Sequence, residues 1–345
     1  MISKFIKIIK MIFKEMIQFI KEEYIFLLIM ISISIICLIP VDYYIIIGGG
    51  ISDVGERIVV EDGYKSKGSF NLSYVSELKG TVLTYLASYV IPGWERISVD
   101  YYRYNEEDSF EDINFRGGLE LKNANSLATK IAYELANKEC QVKGTKIYVI
   151  AKFSEYESDL EVQDQILSIN GSSFDSINEY RDFLQTFNVS DELSIKVLRD
   201  EEEITVKAKV YELEDRIIMG VSLNYYYELV PRPAVYIKFE RNESGPSAGL
   251  VTTLEIYNQL TKNDITNSYV IAGTGTVEEN GVVGSIGGVE HKIMGAAKGK
   301  ADIFLVPAGK NYDEAIKTKK EKKLDIEVYA VETVSDAIKI LETLK

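Results

Sequence analysis

The sequence predicts an α+β protein that consists of an N-terminal transmembrane helix followed by two folded modules. Three observations support this prediction. They are an apolar run near the start, a middle segment in which strands surround one short helix, and a C-terminal segment in which apolar strands alternate with helices. A chain of 345 residues is long enough for two domains and additional segments, at roughly 100–200 residues per domain.

Charge and composition exclude some classes of partner. The net charge of -14 at pH 7 argues against nucleic acid, because phosphate binding requires a basic surface. Two cysteines, Cys37 inside the apolar run and Cys140, are too few for a disulfide framework. The chain has no phosphate loop of the Gly-x4-Gly-Lys-Ser/Thr type, since Gly295–Lys300 lacks both the spacing and the hydroxyl residue. We therefore expect no cofactor and no ATP-driven step within this chain.

Residues 24–40 are predicted to form the transmembrane helix. The run that ends at Ile39 is apolar apart from two serines and Cys37, and it is slightly shorter than the roughly 20 residues that a spanning helix needs. We expect Val41 and Ile45–Ile47 to extend it. The alternatives are a cleaved signal peptide or a buried core helix. However, no Ala-x-Ala-like site follows the run, and the basic region before it is too long for an ordinary signal.

The charges around this run predict its orientation. Residues 1–23 contain five lysines, which recur at about helical spacing against apolar residues and predict an amphipathic cytoplasmic segment on an anionic membrane surface. The first basic residue after the run is Arg57, so the positive-inside rule places the N-terminus in the cytoplasm. We therefore expect a single-pass protein of the cell membrane whose main part lies outside the cytoplasm.

Residues 41–124 are predicted as an extracytoplasmic connecting region, and we find no pattern in it that points to chemistry. Residues 125–212 follow as a module that begins with a helix at residues 125–139. The run from Leu160 to Gly171 reads L-x-x-x-D-x-I-L-x-I-N-G. This run and the order of the elements resemble a PDZ domain of the bacterial type, which binds an extended peptide along a sheet edge. The alternative is that the module only packs against its neighbour.

The stretch Glu243–Gly249 delivers one serine to the start of a predicted helix. Pro246 suits the first helical turn, because its missing N–H would be unpaired there anyway. Ser247 would then lie at a helix N-terminus, where backbone N–H groups and the helix dipole can stabilise a developing oxyanion. The serine is therefore a candidate nucleophile. The alternative is that it is an ordinary helix cap.

A lysine on an apolar helix face is the candidate base. Beyond Gly288 a helix is predicted whose apolar face carries Val289 and Ile293, and Lys292 falls within the same stripe. Burial of an ammonium is costly, so it would lower the pKa of this lysine and leave a neutral amine able to take a proton from serine. One alternative is a lysine whose head reaches water. The other is His291 as the base, although it is rotated by about 100° from the stripe.

Five motifs follow one another in the C-terminal segment: Gly245-Pro-Ser-Ala-Gly249, Thr274-Gly275, Gly281-x-Val283-x-x-Ile286-Gly-Gly288, Lys292 and Ala296-Ala297. Their order, and the spacing from Ser247 to Lys292, resemble the proteolytic domain of the Lon family over about residues 215–345. The resemblance implies an α/β proteolytic domain at residues 213–345. It also implies that Ser247 is the nucleophile, Lys292 the general base, and Thr274 a hydrogen-bond partner of the lysine amine.

A transmembrane segment, a PDZ-like module and a Lon-like domain in one chain are similar to the membrane-anchored Lon-like (S16 family) serine proteases of Gram-positive bacteria, of the pheromone-processing type. This resemblance implies an ATP-independent endopeptidase that cleaves short or unfolded peptides outside the cytoplasmic membrane, with the PDZ-like module selecting substrates. It also implies assembly of identical subunits into a ring. The competing hypothesis is a proteolytically inactive, membrane-tethered PDZ adaptor or chaperone.

Overall fold

The computed structural model describes residues 18–238 and 243–344, together with Ile6, Lys10, Met11, Lys14 and Glu15. Most of the predicted amphipathic segment 1–23 lies outside the described residues. Phe239 does as well, the last residue of a strand that the alternating pattern from Val235 predicts. The chain divides into two compact units.

The described residues form these elements in chain order: α1 (Tyr24–Leu38), β1 (Pro40–Asp53), β2 (Ile58–Val60), β3 (Ser69–Thr81), α2 (Val82–Ala87), β4 (Glu95–Ser98), a 3₁₀ turn (Val99–Tyr101), α3 (Phe110–Leu135), β5 (Glu139–Lys152), β6 (Gln165–Ile169), α4 (Ile177–Leu184), β7 (Glu192–Arg199), β8 (Glu202–Lys209), β9 (Tyr211–Leu213), β10 (Arg216–Ile218), β11 (Val221–Arg232), β12 (Val235–Ile237), α5 (Gly249–Leu260), β13 (Val270–Gly273), β14 (Thr276–Val277), β15 (Val283–Gly284), α6 (Val289–Lys298), β16 (Ile303–Pro307), α7 (Lys310–Lys322), β17 (Glu327–Val331) and α8 (Val334–Thr343).

The first unit comprises Met1–Ile47 and Ser76–Tyr101, so it contains α1, the beginning of β1, the end of β3, α2 and β4. Strands β1 and β4 pair antiparallel, with Tyr43 opposite Ser98. The first residues of the predicted connecting region therefore form a strand of a sheet.

The prediction of a transmembrane helix over residues 24–40 is wrong. Helix α1 holds 15 residues and is about 22 Å long at 1.5 Å per residue, whereas the hydrocarbon core of a bilayer is about 30 Å thick. Pro40 begins strand β1, and Ile45 and Ile46, which we expected to extend the helix, are buried residues of that strand. Among the residues that the structure describes, no helix combines the length and the apolar character needed to cross a membrane.

The predicted location is wrong for the same reason. A single-pass membrane protein with a cytoplasmic N-terminus and an extracytoplasmic catalytic domain requires a spanning helix, and the apolar run does not form one. The isoleucines were counted toward a helix because hydropathy does not distinguish a helix from a buried strand. Their β-branched side chains suit the strand that they occupy.

The second unit, Gly48–Val75 and Tyr102–Lys345, contains a parallel sheet. Strand β13 pairs with β3 on one side and with β16 on the other, and β16 pairs with β17. All five residues of β16 are buried, as expected for a parallel strand that is covered on both faces. The mixed architecture of strands and helices predicted for the C-terminal segment is therefore present.

One hydrophobic core joins segments that lie far apart in the sequence. Its buried side chains include Phe70 of β3, Tyr133 of α3, Leu250 and Leu254 of α5, and Leu341 of α8. Part of the predicted connecting region thus packs in the same core as the C-terminal segment. The predicted boundaries between the connecting region, the PDZ-like module and the C-terminal domain stay predictions.

The segment 125–212, predicted as a PDZ-like module, contributes four strands to an antiparallel sheet whose fifth strand, β11, lies beyond the predicted end of the module. Its strand order is β11-β5-β6-β7-β8, and α4 contributes Tyr180 and Leu184 to its core. Asp164, from the run that predicted this module, is 1% exposed. Its carboxylate accepts hydrogen bonds from the Arg199 guanidinium at 2.7 and 2.8 Å. The same carboxylate accepts a hydrogen bond from the Glu161 N–H at 2.9 Å, which fixes the turn before β6 and gives the aspartate a structural role.

Asp264 joins the chain before β3 to the loop before β13. Its carboxylate accepts hydrogen bonds from the Thr266 hydroxyl at 2.6 Å and from the Lys67 backbone N–H at 2.8 Å. Burial alone would raise the pKa of this carboxyl, but the hydrogen bonds outweigh burial and hold the pKa below its ordinary value of 3.8. A pKa lowered by folding stabilises the protein above the unfolded-state pKa. This contribution is lost as the pH falls through the folded-state pKa.

We predict that Asp264→Asn lowers the free energy of unfolding by about 1 kcal/mol at pH 7, because an amide cannot accept both sets of hydrogen bonds. The difference from wild type should shrink below pH 3.8, as the wild-type carboxyl becomes protonated as well. Urea unfolding at neutral and acidic pH measures both values. The control is Asp182→Asn, which removes an exposed carboxylate of α4. Equal losses in the two variants would contradict the role of Asp264.

Candidate active site

The candidate nucleophile lies in a turn between β12 and α5. This nucleophile turn spans residues 243–248, and Ser247 is half-buried, two positions before Gly249, the first residue of α5. Gly245 has a left-handed φ of 83°, which glycine adopts without the strain that a Cβ would introduce. The sequence predicted the serine at a helix N-terminus, and the structure places it in the turn directly before the helix.

The segment after β13 holds the end of the nucleophile turn. The carbonyl oxygen of Ser247 accepts hydrogen bonds from the Gly275 N–H at 2.9 Å and from the Thr274 hydroxyl at 3.3 Å. The N–H groups of Gly249 and Leu250, at the start of α5, already donate to carbonyl oxygens of the protein. Stabilisation of an oxyanion at this helix would therefore come from its dipole and from N–H groups earlier in the turn.

The candidate base lies on the buried face of α6. Lys292 is 4% exposed, and its neighbours Val289 and Ile293 are completely buried. The lysine Nζ donates a hydrogen bond to the Thr274 hydroxyl oxygen at 3.1 Å. The lysine backbone carbonyl accepts one from the Ser73 hydroxyl at 2.6 Å. An ammonium is costly to bury, so a lysine is an unusual residue at this position of the helix.

His291 is also buried, which the apolar periodicity did not predict. Its side chain is 3% exposed, so burial does not separate it from Lys292 as a candidate base. What connects Lys292 to the nucleophile turn is its hydrogen bond to Thr274, the residue that also contacts Ser247. This connection is the structural reason to prefer the lysine.

Thr274 brings the three predicted site residues together. It is completely buried at the end of β13, and its hydroxyl accepts a hydrogen bond from the Lys292 amine and donates one to the Ser247 carbonyl oxygen. Strands β3 and β16 pair with β13 on its two sides. The backbone that carries this threonine is therefore fixed by an interior strand of the sheet. The result is a buried amine that is joined, through one hydroxyl group, to the backbone carbonyl of a half-buried serine.

A cavity of about 510 Å³ opens beside the nucleophile turn. Pro246 forms part of its wall, and the rest comes from α3, from Tyr225 of β11, and from β14 with the loop that follows it. Three carboxyl groups line it, those of Glu120, Glu278 and Glu279.

Two of these carboxyl groups have shifted pKa values. Burial raises the pKa of Glu120, and the positive charge of Arg116 opposes the rise. Burial acts in the same direction at Glu279, but the hydroxyl groups of Tyr227 and Tyr225 donate hydrogen bonds to this carboxylate and bring its pKa below the usual value. The two tyrosines therefore favour an ionised Glu279 at the rim of the cavity.

Sequence reasoning missed the first half of α3 as part of the site. It predicted a helix only from residue 125, whereas α3 begins at Phe110 and carries Glu120 into the cavity. The local signal is a capping box, in which the side chains of Ser109 and Asp112 each bond to the backbone N–H of the other. This signal could have placed the start of the helix from the sequence.

We predict that Lys292→Met leaves the free energy of unfolding unchanged or higher, because methionine has a similar length and no amine to desolvate. The control is Ile293→Ala, at the next position of α6, which should lower it by about 2–5 kcal/mol as an ordinary core truncation. Chemical denaturation measures both variants. A loss for Lys292→Met as large as that for Ile293→Ala would show that the lysine is a stabilising residue.

Comparison with known proteins finds relatives of the C-terminal segment. Residues 240–343 match the family described as Lon protease (S16) C-terminal proteolytic domain. Lon protease from Campylobacter concisus (strain 13826) is 35% identical over 98 residues, which are 28% of this chain and 12% of that protein. Lon protease from Campylobacter jejuni subsp. jejuni serotype O:2 is 30% identical over 145 residues, 42% of this chain and 17% of that protein. The chain therefore spans less than a fifth of the length of these curated relatives.

Similar solved structures include two PDZ domains of SdrC-like proteins. The one from Listeria monocytogenes has 20% sequence identity and covers 24% of this chain and 90% of that chain, with a TM-score of 0.21. The one from Listeria innocua has 22% identity and covers 23% of this chain and 92% of that chain, with a TM-score of 0.22.

The matches to Lon proteases support the coarser prediction, a serine peptidase segment of the Lon type. The finer prediction, a membrane-anchored protease of Gram-positive bacteria that processes pheromones, has no support from them.

Proposed function

We propose that this chain is a serine endopeptidase in which Ser247 is the nucleophile, Lys292 the general base and Thr274 the residue that orients the base. The observation that supports it best is the hydrogen-bonded series from the buried Lys292 amine through the Thr274 hydroxyl to the Ser247 carbonyl oxygen. An apolar side chain of similar size would occupy this position of α6 without the cost of burying an amine. The lysine is therefore better explained by chemistry than by packing.

In the proposed reaction, the neutral Lys292 amine takes the proton of the Ser247 hydroxyl as Oγ attacks the scissile carbonyl carbon. Collapse of the tetrahedral intermediate breaks the C–N bond, and the lysine gives its proton to the leaving amine. A water molecule then attacks the acyl-enzyme and loses a proton to the same lysine. The lysine returns this proton to the serine oxygen when the acid product leaves.

The cavity beside Pro246 supports a peptide substrate, because it can receive side chains next to the bond that Ser247 attacks. The sequence carries no phosphate-loop pattern, so we propose cleavage of short or already unfolded peptides without an ATP-driven step in this chain. In this proposal the antiparallel module selects substrates by pairing an extended peptide with a sheet edge. Assembly into a ring stays a prediction.

Replacement of the nucleophile and the base tests the proposed reaction. Ser247→Ala and Lys292→Met should each lower kcat for an unfolded reporter protein by about 10³-fold or more, because the nucleophile or the proton acceptor is missing. A fluorophosphonate probe should label wild type at Ser247 and should label neither variant at that position. Binding of peptides without turnover by wild type would instead indicate an inactive adaptor or chaperone.

The orienting role of Thr274 has its own test. Thr274→Val has nearly the same shape but no hydroxyl, so it should lower kcat by up to about 10²-fold through misplacement of the amine, with little change in KM. Thr274→Ser keeps the hydroxyl and is the matched control, which should retain most of the wild-type kcat. Steady-state kinetics on the same reporter compare the two. If they are equally active, the hydroxyl has no part in catalysis.

A further inference from the structure

Helix α3 contains two adjacent interior glycines, Gly117 and Gly118, whose surroundings differ. Glycine inside a helix is destabilising relative to alanine. Each of the two positions was therefore compared for a close neighbour that leaves no room for a side chain. The Gly117 carbonyl oxygen accepts a hydrogen bond from the Gly245 N–H of the nucleophile turn at 2.9 Å. A Cβ on Gly117 would lie 3.0 Å from the Cβ of Ser244, whereas a Cβ on Gly118 would meet nothing within 4 Å.

Among the described residues, contacts hold the nucleophile turn at its start, its middle and its end, and the contact with α3 holds the middle. An ion pair between Glu243 and Arg57 holds its start, and the hydrogen bond from the Gly275 N–H to the Ser247 carbonyl oxygen holds its end. Between them, α3 fixes Gly245, the position at which the backbone adopts a left-handed φ. Because Ser247 lies only two residues farther along the turn, a displacement at this middle point moves the nucleophile.

On the basis of the proposed function, we propose that Gly117 is a positioning residue: its missing side chain lets α3 contact the nucleophile turn and sets where Ser247 lies relative to Lys292. A methyl group at this position would require Ser244 to shift by a few tenths of an ångström. Misplacement of a reacting group lowers the rate steeply, by about 10²-fold for 1 Å. The same helix lines the cavity through Glu120, so α3 sets both the turn and the cavity wall.

Two alanine substitutions separate positioning from helix propensity, because both favour the helix to the same degree. Gly117→Ala should lower kcat for the reporter protein, and the rate of fluorophosphonate labelling at Ser247, by about 10-fold, with KM changed by less than about 2-fold. Gly118→Ala should keep the wild-type values, since its methyl group enters open space.

A compensating variant distinguishes a steric contact from a folding defect. Ser244→Gly removes the Cβ that the alanine methyl group would meet. The double variant Gly117→Ala with Ser244→Gly should therefore recover most of the labelling rate that Gly117→Ala loses. Ser244→Gly alone gives the baseline labelling rate with which the double variant is compared. Thermal unfolding of all variants shows whether each one is folded.

Each outcome decides the matter. A loss confined to Gly117→Ala and recovered in the double variant supports the positioning role. Wild-type rates for Gly117→Ala, equal losses in both alanine variants, or no recovery in the double variant would overturn it while leaving the proposed function intact. A wild type that neither cleaves the reporter nor reacts with the probe at Ser247 would refute the proposed function and the positioning role together.

Discussion

The hydrogen bond between the Lys292 amine and the Thr274 hydroxyl is the interaction on which the rest of the site depends. It joins helix α6 to the end of the central strand β13, and the same hydroxyl continues to the Ser247 carbonyl oxygen. A buried amine loses its hydration, and the hydrogen bond to Thr274 replaces part of it. It persists because its surroundings are well packed, with Val289 and Ile293 completely buried on the same helix. A residue that is locally unfavourable, and whose free-energy cost the rest of the fold offsets, is typical of functional positions.

Helix α3 connects the site to the antiparallel module of the second unit. Its first half contacts the nucleophile turn through Gly117. In the middle of α3, the Asn123 side chain donates a hydrogen bond to the Tyr225 carbonyl oxygen at 2.8 Å. The Ser126 hydroxyl accepts a hydrogen bond from the Tyr227 N–H at 3.2 Å. Both tyrosines belong to β11, a strand of the antiparallel sheet. One helix therefore touches the turn, the cavity and the strand that enters the proposed peptide-binding module.

The apolar run near the N-terminus shows why hydropathy alone misplaced an element. Pro40 divides the run, because proline lacks the N–H that a helix interior requires and restricts the residue before it. The residues before it form α1, and Ile45 and Ile46 after it are buried in β1. The apolar residues on the two sides of Pro40 therefore belong to two different elements, a helix and a strand. Total hydropathy does not show where the helix ends and the strand begins, whereas the position of the proline does.

Local pattern was sufficient to place the candidate serine before a helix and the candidate lysine on a buried helix face. A glycine-proline turn before an apolar helix, and a lysine within an apolar stripe, are arrangements of neighbouring residues, whose shared face follows from helical periodicity. The α/β character of the C-terminal segment was readable for the same reason. Only the tertiary structure established that β3 lies beside β13, that α3 contacts Gly245, and that His291 is buried together with Lys292. Those contacts result from packing around a common core between residues distant in the chain, and no periodicity within one segment specifies them.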